Sequence, residues 1–332
     1  MRKRIFSSTT AFVAGLVLVA VFGALLILPG NDYIFLPDPA HPVAPLVHVP
    51  GGHDPTVGGI YYVDILLRKA KLYEQLLGGF HEGADLYPAS AILPPGGSEA
   101  ERHQIDAEDM QNSQQVATAV ALRAAGKPVT TTPVGAKIDE VFANTPAVGK
   151  LEQDDVITAI DGRPVRSRAD VFTAMAKHRP GDIVTFAIRR AGGSKVVSIR
   201  AARDPKANRA IVGIGLEDAV DIHVPIDVTI NAGDVGGPSA GLAFALDILQ
   251  ELGRNIVRGH KIAATGEILP DGSVGPIGGI KQKTIGAREA HVDAFLVPAG
   301  ENAQEARRYA HGLKIIAVEN FPQALRALAT LR

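Results

Sequence analysis

Apolar positions along this chain change their period repeatedly, and each change predicts a different element. Ala11 to Leu28 is an apolar run with no charged residue. With the flanking Ile5 to Thr10 it reaches the roughly 20 residues that a helix needs to cross a bilayer. Asn31 to Pro55 is rich in Pro, Gly and His, which predicts a linker; its short apolar piece Leu46-Val47-His48-Val49 leads into a strand. Gly59 to Leu67 is dense in β-branched and aromatic residues, a second strand signal. Pro94-Pro95-Gly96-Gly97 interrupts the chain, and Ser98 with Glu101 then forms a capping-box pattern. The helix that follows carries Met110, Val116, Val120 and Ala124 on one face and is predicted to end near Gly126.

From about Lys127 to Asp204 the pattern is one of short strands and one helix, Arg168 to about Lys177; Ile183–Arg189 and Lys195–Ile199 read as strands. Beyond Ala207 strands and helices alternate. Val224 to Ile230 reads as a strand, followed by the Gly-rich loop Gly233 to Gly241. A helix comes next, with Leu242, Ala245, Leu246 and Leu249 on one face and Gly253 past its end. The fold class is α/β (α+β), with an expected division into residues 1–30, 31–126, 127–205 and 206–332.

Composition narrows the function classes. The 332 residues suffice for two or three domains, and 46% apolar with 21% charged residues is a globular balance. A formal net charge of -1 gives no reason to expect nucleic acid as a partner. The basic run Arg189, Arg190, Lys195, Arg200 and Arg203 reads as a solvated strand edge. With no cysteine, disulfides, thiolate metal sites and a cysteine nucleophile are excluded. Arg2, Lys3 and Arg4 precede the first apolar run, and the next Lys or Arg is Arg68. The positive-inside bias then keeps the N-terminus cytoplasmic and the body of the chain outside. A cleaved signal peptide is the competing reading, with Val21-Phe22-Gly23 as a weak cleavage pattern. Both place the folded part beyond the membrane.

The candidate chemistry centres on Ser239, where a strand, a tight loop and a helix N-terminus meet. Pro238 suits the first turn of that helix, and free N–H groups and the helix dipole would favour an oxyanion there. Gly237-Pro238-Ser239-Ala240-Gly241 fits two schemes. One is the G-x-S-x-G elbow of α/β-hydrolases, which needs a strand running straight into the serine and a later Asp/Glu and His. His260, His291 and His311 are available, but Gly236 and Gly237 intervene before the serine and little chain follows it. The other is a Ser-Lys dyad, in which a desolvated, neutral lysine activates the serine. Lys283 offers this: it shares a helix face with Ile280, Ala287 and Ala290, whereas Lys281 and Arg288 fall elsewhere on the wheel.

Two family resemblances sharpen the choice. Asn144-Thr145-Pro146-Ala147, Gly149-Lys150-Leu151, Asp155-Val156-Ile157 and Ile160-Asp161-Gly162 follow in the order seen in bacterial PDZ domains. Asp154 stands where those domains carry a glycine. The resemblance implies a peptide-binding edge, with Val134, Gly135 and Ala136 as the matching loop facing the Ala169–Ala176 helix. Gly237 to Gly241, Thr265-Gly266-Glu267-Ile268 and Gly278-Gly279-Ile280-Lys281-Gln282-Lys283 resemble three motifs of the Lon proteolytic domain. That resemblance implies Ser239 as nucleophile, Lys283 as base, Thr265 orienting the lysine, and Gly237 and Ala240 in support. Gly236 departs from the acidic residue common there. No G-x-x-x-x-G-K-[ST] phosphate loop occurs, so the order of membrane segment, PDZ-like unit and Lon-type domain is similar to ATP-independent Lon-like proteases. Polypeptide substrates, no cofactor, no metal and a ring of copies are the implied expectations. A non-catalytic PDZ scaffold is the alternative of a different class.

Overall fold

A computed structural model describes residues 8–78, 81–93, 97–190, 193–204, 207, 209–233 and 235–331. The chain forms two compact units: Met1–Lys127 joined with Ile226–Arg332, and Pro128–Pro225.

In the first unit the core is a sheet of five strands in the order His41–Pro42, Gly59–Tyr62, Lys261–Ala264, Ala294–Pro298, Lys314–Val318. All neighbours are parallel except the short first strand. Ile262, Ala263 and Ala264, and Phe295, Leu296 and Val297, are fully buried. This is the continuous apolar run of a strand covered on both faces, not the alternation of a half-exposed one. The helix Gly241–Glu251 is buried along its whole length, as an apolar helix must be. Beside it runs Glu99–Ala124, capped by Ser98 and Glu101 as expected. Its buried positions include Met110, Ser113, Val116, Val120 and Leu122.

The stretch 31–126, which carries no family motif, supplies central pieces of this unit. Gly59–Tyr62 lies inside the five-stranded sheet. The strand expected over Gly59 to Leu67 is in fact two, Gly59–Tyr62 and Ile65–Lys71. They belong to different sheets; the second pairs with Pro29–Pro37, which also pairs with Asp85–Pro88. Val63 and Asp64 form the elbow between them. The strand expected over Val224 to Ile230 is only Thr229–Ile230, paired with Val47–His48. Pro225 has no N–H to give a ladder, and the chain passes from one unit to the other there.

The N-terminal helix is Ser8–Ile27, with Phe12, Leu18, Val19 and Phe22 exposed. Among the described residues no helix is long and apolar enough to cross a membrane, so the expected spanning helix over residues 1–30 is not supported; residues 1–7 of that segment lie outside the described ones.

The second unit is a sheet ordered Gly193–Arg200, Ile183–Arg190, Val156–Ile160, Thr130–Val141, Ile214–His223, with Arg163–Pro164 added to Val156–Ile160. Ile138, Leu151, Ile157, Ile160, Val184, Phe186, Ile188 and Ile199 form its core. Asp161 and Gly162 have φ of 48° and 74° and link Ile160 to Arg163 as a two-residue hairpin; this is the twist-matched type in which both residues adopt positive φ. Asp154 also sits at positive φ, 67°, which explains why glycine suits that position and why aspartate, tolerant of the left-handed region, replaces it. Arg190 is not a solvated edge residue: its Nε and Nη2 each lie 2.6 Å from the buried Asp155 carboxylate. Ile214–His223 pairs along Thr130–Val141, so the compact unit runs on to Pro225, past the expected boundary at 205.

Candidate active site

Ser239 lies in a single 3-10 turn, Pro238–Ala240, which leads directly into Gly241–Glu251. Gly237 precedes it at φ 77°, a conformation that glycine adopts without strain. The turn nests on the helix Glu99–Ala124. Gly237 N–H donates to Asp106 O at 2.8 Å, and Ser113 Oγ donates to Pro238 O at 3.0 Å. A Cβ at Gly241 would lie 2.6 Å from Ser113 Oγ, so the second glycine of the motif is required by close approach. A Cβ at Gly236 would lie 2.8 Å from Asp106 Cβ, so the glycine that departs from the Lon pattern is where another segment crosses the loop.

The strand Lys261–Ala264 ends at Thr265, fully buried, whose hydroxyl donates to Ser239 O at 3.2 Å; Gly266 N–H donates to the same carbonyl at 2.8 Å. The helix Ile280–Glu289 then presents Lys283, 3% exposed. Its Nζ lies 2.6 Å from Ser239 Oγ and 3.3 Å from Thr265 Oγ1. Burial lowers the Lys283 amine from 10.5 to about 8, and the negative charge of Asp64 opposes that fall. About a tenth of the amine is then neutral at pH 7, and most of it one unit above 8.

Three further side chains hold the lysine helix in place. Lys281 Nζ pairs with Asp85 at 2.8 Å, and the buried Gln282 Nε2 donates to Gly83 O at 2.7 Å and to Asp85 at 2.8 Å. Arg288 pairs with Glu82 at 2.5 Å. Gly286 allows the closest packing: a Cβ there would meet Asp38 O at 1.8 Å.

Ser239, Thr265 and Lys283 are thus brought together, with Gly237 and Ala240 on either side of the serine. The histidines that a hydrolase elbow would need are engaged elsewhere. His260 faces Asp293 at 3.5 Å, His291 faces Arg288 O at 3.0 Å, and His311 faces Arg288 at 2.9 Å. Val134, Gly135 and Ala136 fall in the other unit, on the interior strand Thr130–Val141. Ala136 pairs with Asp218 on one side and Ile157 on the other, so its backbone has no free edge for a peptide.

Ser113, Asp106, Gln282 and Asp64 were not legible as site residues. All but Gln282 come from residues 31–126, which carry no family motif, and Gln282 reads as an ordinary polar helix position. Asp38, His41 and Asp64 converge so that one ligand-type atom of each lies within 4.8 Å of the others. These donors bind one another: His41 Nε2 is 2.8 Å from Asp38 Oδ2, and Asp64 shares a hydrogen bond with Asp38.

A buried lysine amine on a serine hydroxyl is an arrangement suited to acyl transfer, and the sequence comparisons point to proteases. Residues 195–330 match the family model of the Lon protease (S16) C-terminal proteolytic domain, and residues 105–201 that of the PDZ domain. The chain carries a Lon-type proteolytic domain together with a PDZ domain. Lon protease 2 of Thermus thermophilus is 36% identical over 164 residues, covering 48% of this chain and 19% of that protein. Lon protease 1 of Myxococcus xanthus is 28% identical over 207 residues, 60% of this chain and 25% of the relative. The mitochondrial Lon protease homolog of Rattus norvegicus is 35% identical over 118 residues, 34% and 12%. The matched stretch thus spans a quarter or less of these relatives' length. Among solved structures, the PDZ domain of the SdrC-like protein from Listeria monocytogenes is 25% identical, covering 25% of this chain and 87% of that one, with a TM-score of 0.24.

Proposed function

We propose that this chain is a serine endopeptidase in which Ser239 attacks the peptide carbonyl and Lys283 is the general base. The observation that carries the reading is the 2.6 Å approach of Lys283 Nζ to Ser239 Oγ inside a pocket that lowers the amine to about 8. Neutral Lys283 takes the hydroxyl proton as Oγ bonds to the carbonyl carbon. The resulting oxyanion forms at the N-terminal turn of Gly241–Glu251, where the helix dipole favours negative charge. The Lys283 ammonium then gives its proton to the leaving amine, and an acyl group remains on Ser239. Water, deprotonated by Lys283, cleaves that ester and restores the serine. Thr265 keeps Nζ directed at Oγ by hydrogen bonding at 3.3 Å.

The cycle balances without ATP or metal. Polypeptide segments that are unfolded or flexible are the substrates we infer, since the chain carries no phosphate-loop motif for an unfolding motor. In the PDZ unit the outer edge of Ile214–His223 supports recruitment by strand addition. Arg168–Met175 lies beside that strand, tied to it by Arg168 N–H donating to Asp218 at 2.7 Å, and presents the exposed Phe172. The exposed apolar residues from Phe12 to Ile27 support membrane association, the basic Arg2, Lys3 and Arg4 before them support a body outside the cytoplasm, and a ring of copies is proposed by family analogy. Carbonate extraction of membranes tests the first: a chain released quantitatively into the wash removes the anchor. Casein hydrolysis by the wild type against Ser239→Ala and Lys283→Ala tests the dyad. Both variants should be inactive, with the wild type indifferent to ATP and chelators; full activity in either variant rejects the assignment.

A further inference from the structure

The PDZ match ends at residue 201, but the sheet of that unit continues beyond it. Among the described residues of the match, Thr130–Val141 pairs with one strand, Val156–Ile160. Its other edge is covered by Ile214–His223, which falls in the stretch matched to the Lon proteolytic domain. The loop expected to receive a peptide therefore does hold an extended segment, taken from the same chain. Ala219 stands opposite Gly135 and Asp218 opposite Ala136, and the helix Arg168–Met175 packs against both strands.

The covering strand has a slight apolar anchor. Only Ala219 in it is buried, while Ile214 and Leu216 are partly buried against the core. Its ladder shifts register between Gly215 and Leu216 and again between Ala219 and Val220. Between those shifts Leu216 to Ala219 run in step with Ile138 to Gly135. Two polar contacts fix that short run. Lys137 Nζ lies 2.7 Å from Glu217 and 3.2 Å from Asp154, so its charge keeps a partner if Glu217 leaves. Arg168 N–H donates to Asp218 at 2.7 Å, in the first turn of a helix, where the dipole favours a carboxylate. A main-chain ladder that supplies affinity, with alternate side chains that select, is how a strand-adding peptide is bound.

We propose that Thr130–Val141 and Arg168–Met175 form a slot for an extended acidic polypeptide segment, and that Ile214–His223 is the occupant the chain supplies itself. The partner is a strand with two consecutive carboxylates and then a small residue, the pattern of Glu217-Asp218-Ala219. It takes the place of Ile214–His223, whereas recruitment at the outer edge leaves that strand where it is. The inference rests on strand addition in this unit and not on the dyad. A tethered occupant competes at an effective concentration on the order of millimolar. The affinity for a free peptide is then reduced by the fraction of time the slot stands open, so weak binders are kept out.

The probe is a fluorescein-labelled peptide with the sequence of Ile214 to His223, titrated into the full chain and read by anisotropy. Glu217→Lys with Asp218→Lys loosens the chain's own strand and leaves the slot intact, so it should bind the peptide about 10-fold tighter than the wild type. Thr132→Cys with Asp221→Cys places thiols at directly opposed, exposed positions. Their disulfide has no competitor, since the chain has no cysteine. The oxidised form should lose binding and the reduced form regain it. Hydrogen exchange over residues 214–223 should rise when peptide is added. Equal binding by the oxidised and reduced forms overturns the proposal and leaves addition at the outer edge standing. No binding by any form overturns both. A peptide with lysines in place of its Glu and Asp should not bind, and equal binding overturns the acidic selectivity. If the lysine double variant does not fold, the comparison of oxidised with reduced chain decides alone.

Discussion

Two buried ionisable groups in the catalytic unit, Lys283 and Asp247, are both pushed to about 8, from opposite sides. Lys283 falls from 10.5 because burial disfavours its charge. Asp247 rises from 3.8 for the same reason, helped by the nearby charges of Glu251 and Asp54. Desolvation alone therefore makes neither group special. The difference is in what each meets. Lys283 Nζ faces two hydroxyls, while neither oxygen of Asp247 has a hydrogen-bond partner. A perturbed group becomes chemistry only when a reactive atom stands within reach.

The largest effect expected from breaking this contrast is at the lysine. Lys283→Met should lower kcat for casein about 10^4-fold while the chain stays folded, because an apolar side chain replaces a buried amine. In the wild type kcat/KM should rise as pH increases through about 8, where Lys283 loses its proton; a flat profile from pH 6 to 9 would remove it as base.

At Asp247 the expected effect is on stability. Asp247→Leu should raise stability at pH 8 by ~1–3 kcal/mol in denaturant titration, by removing an unpartnered buried carboxylate. The sign with pH follows from linkage. The folded pKa lies above the unfolded one, so between about 4 and 8 the folded chain holds a proton that the unfolded chain releases. Stability from this group is thus lost as pH rises, and the gain from Asp247→Leu should shrink towards pH 4. Lys283 has the reverse sign: its folded pKa is lowered, so its cost is full below about 8 and is relieved between about 8 and 10.5.

Smaller effects sharpen the role of partners. Thr265→Val removes the hydroxyl 3.3 Å from Nζ and should cost about 10-fold in kcat with little change in KM. Ser113→Ala removes a bond to Pro238 O and should cost about 1 kcal/mol of stability, with a modest loss of kcat. An unchanged kcat in Ser113→Ala would confine the residue to packing.

Particular elements show what could be read in advance. The helix at Glu99–Ala124 was legible because its cap and its apolar face are local signals. Thr265-Gly266-Glu267-Ile268 was legible only as a motif, and its strand is the short Glu267–Ile268. The split of Gly59 to Leu67 into two strands was not, because β propensity continues through Val63 and Asp64 while the partners change. That Ala136 is paired on both sides was not legible, because strand composition does not say which edge of a strand is already paired.

By itself the sequence determined which groups are proposed to react: Ser239 after a tight glycine turn, Lys283 on an apolar helix face, Thr265 at a strand end. These depend on local geometry and on short-range periodicity, which the chain carries in its own order. Tertiary structure alone decided how they meet and how they are tuned. Ser113 and the backbone of Asp106 come from a stretch more than a hundred residues away from the serine. Their hold on the serine turn rests on direct hydrogen bonds, which depend on proximity in space and not on sequence separation.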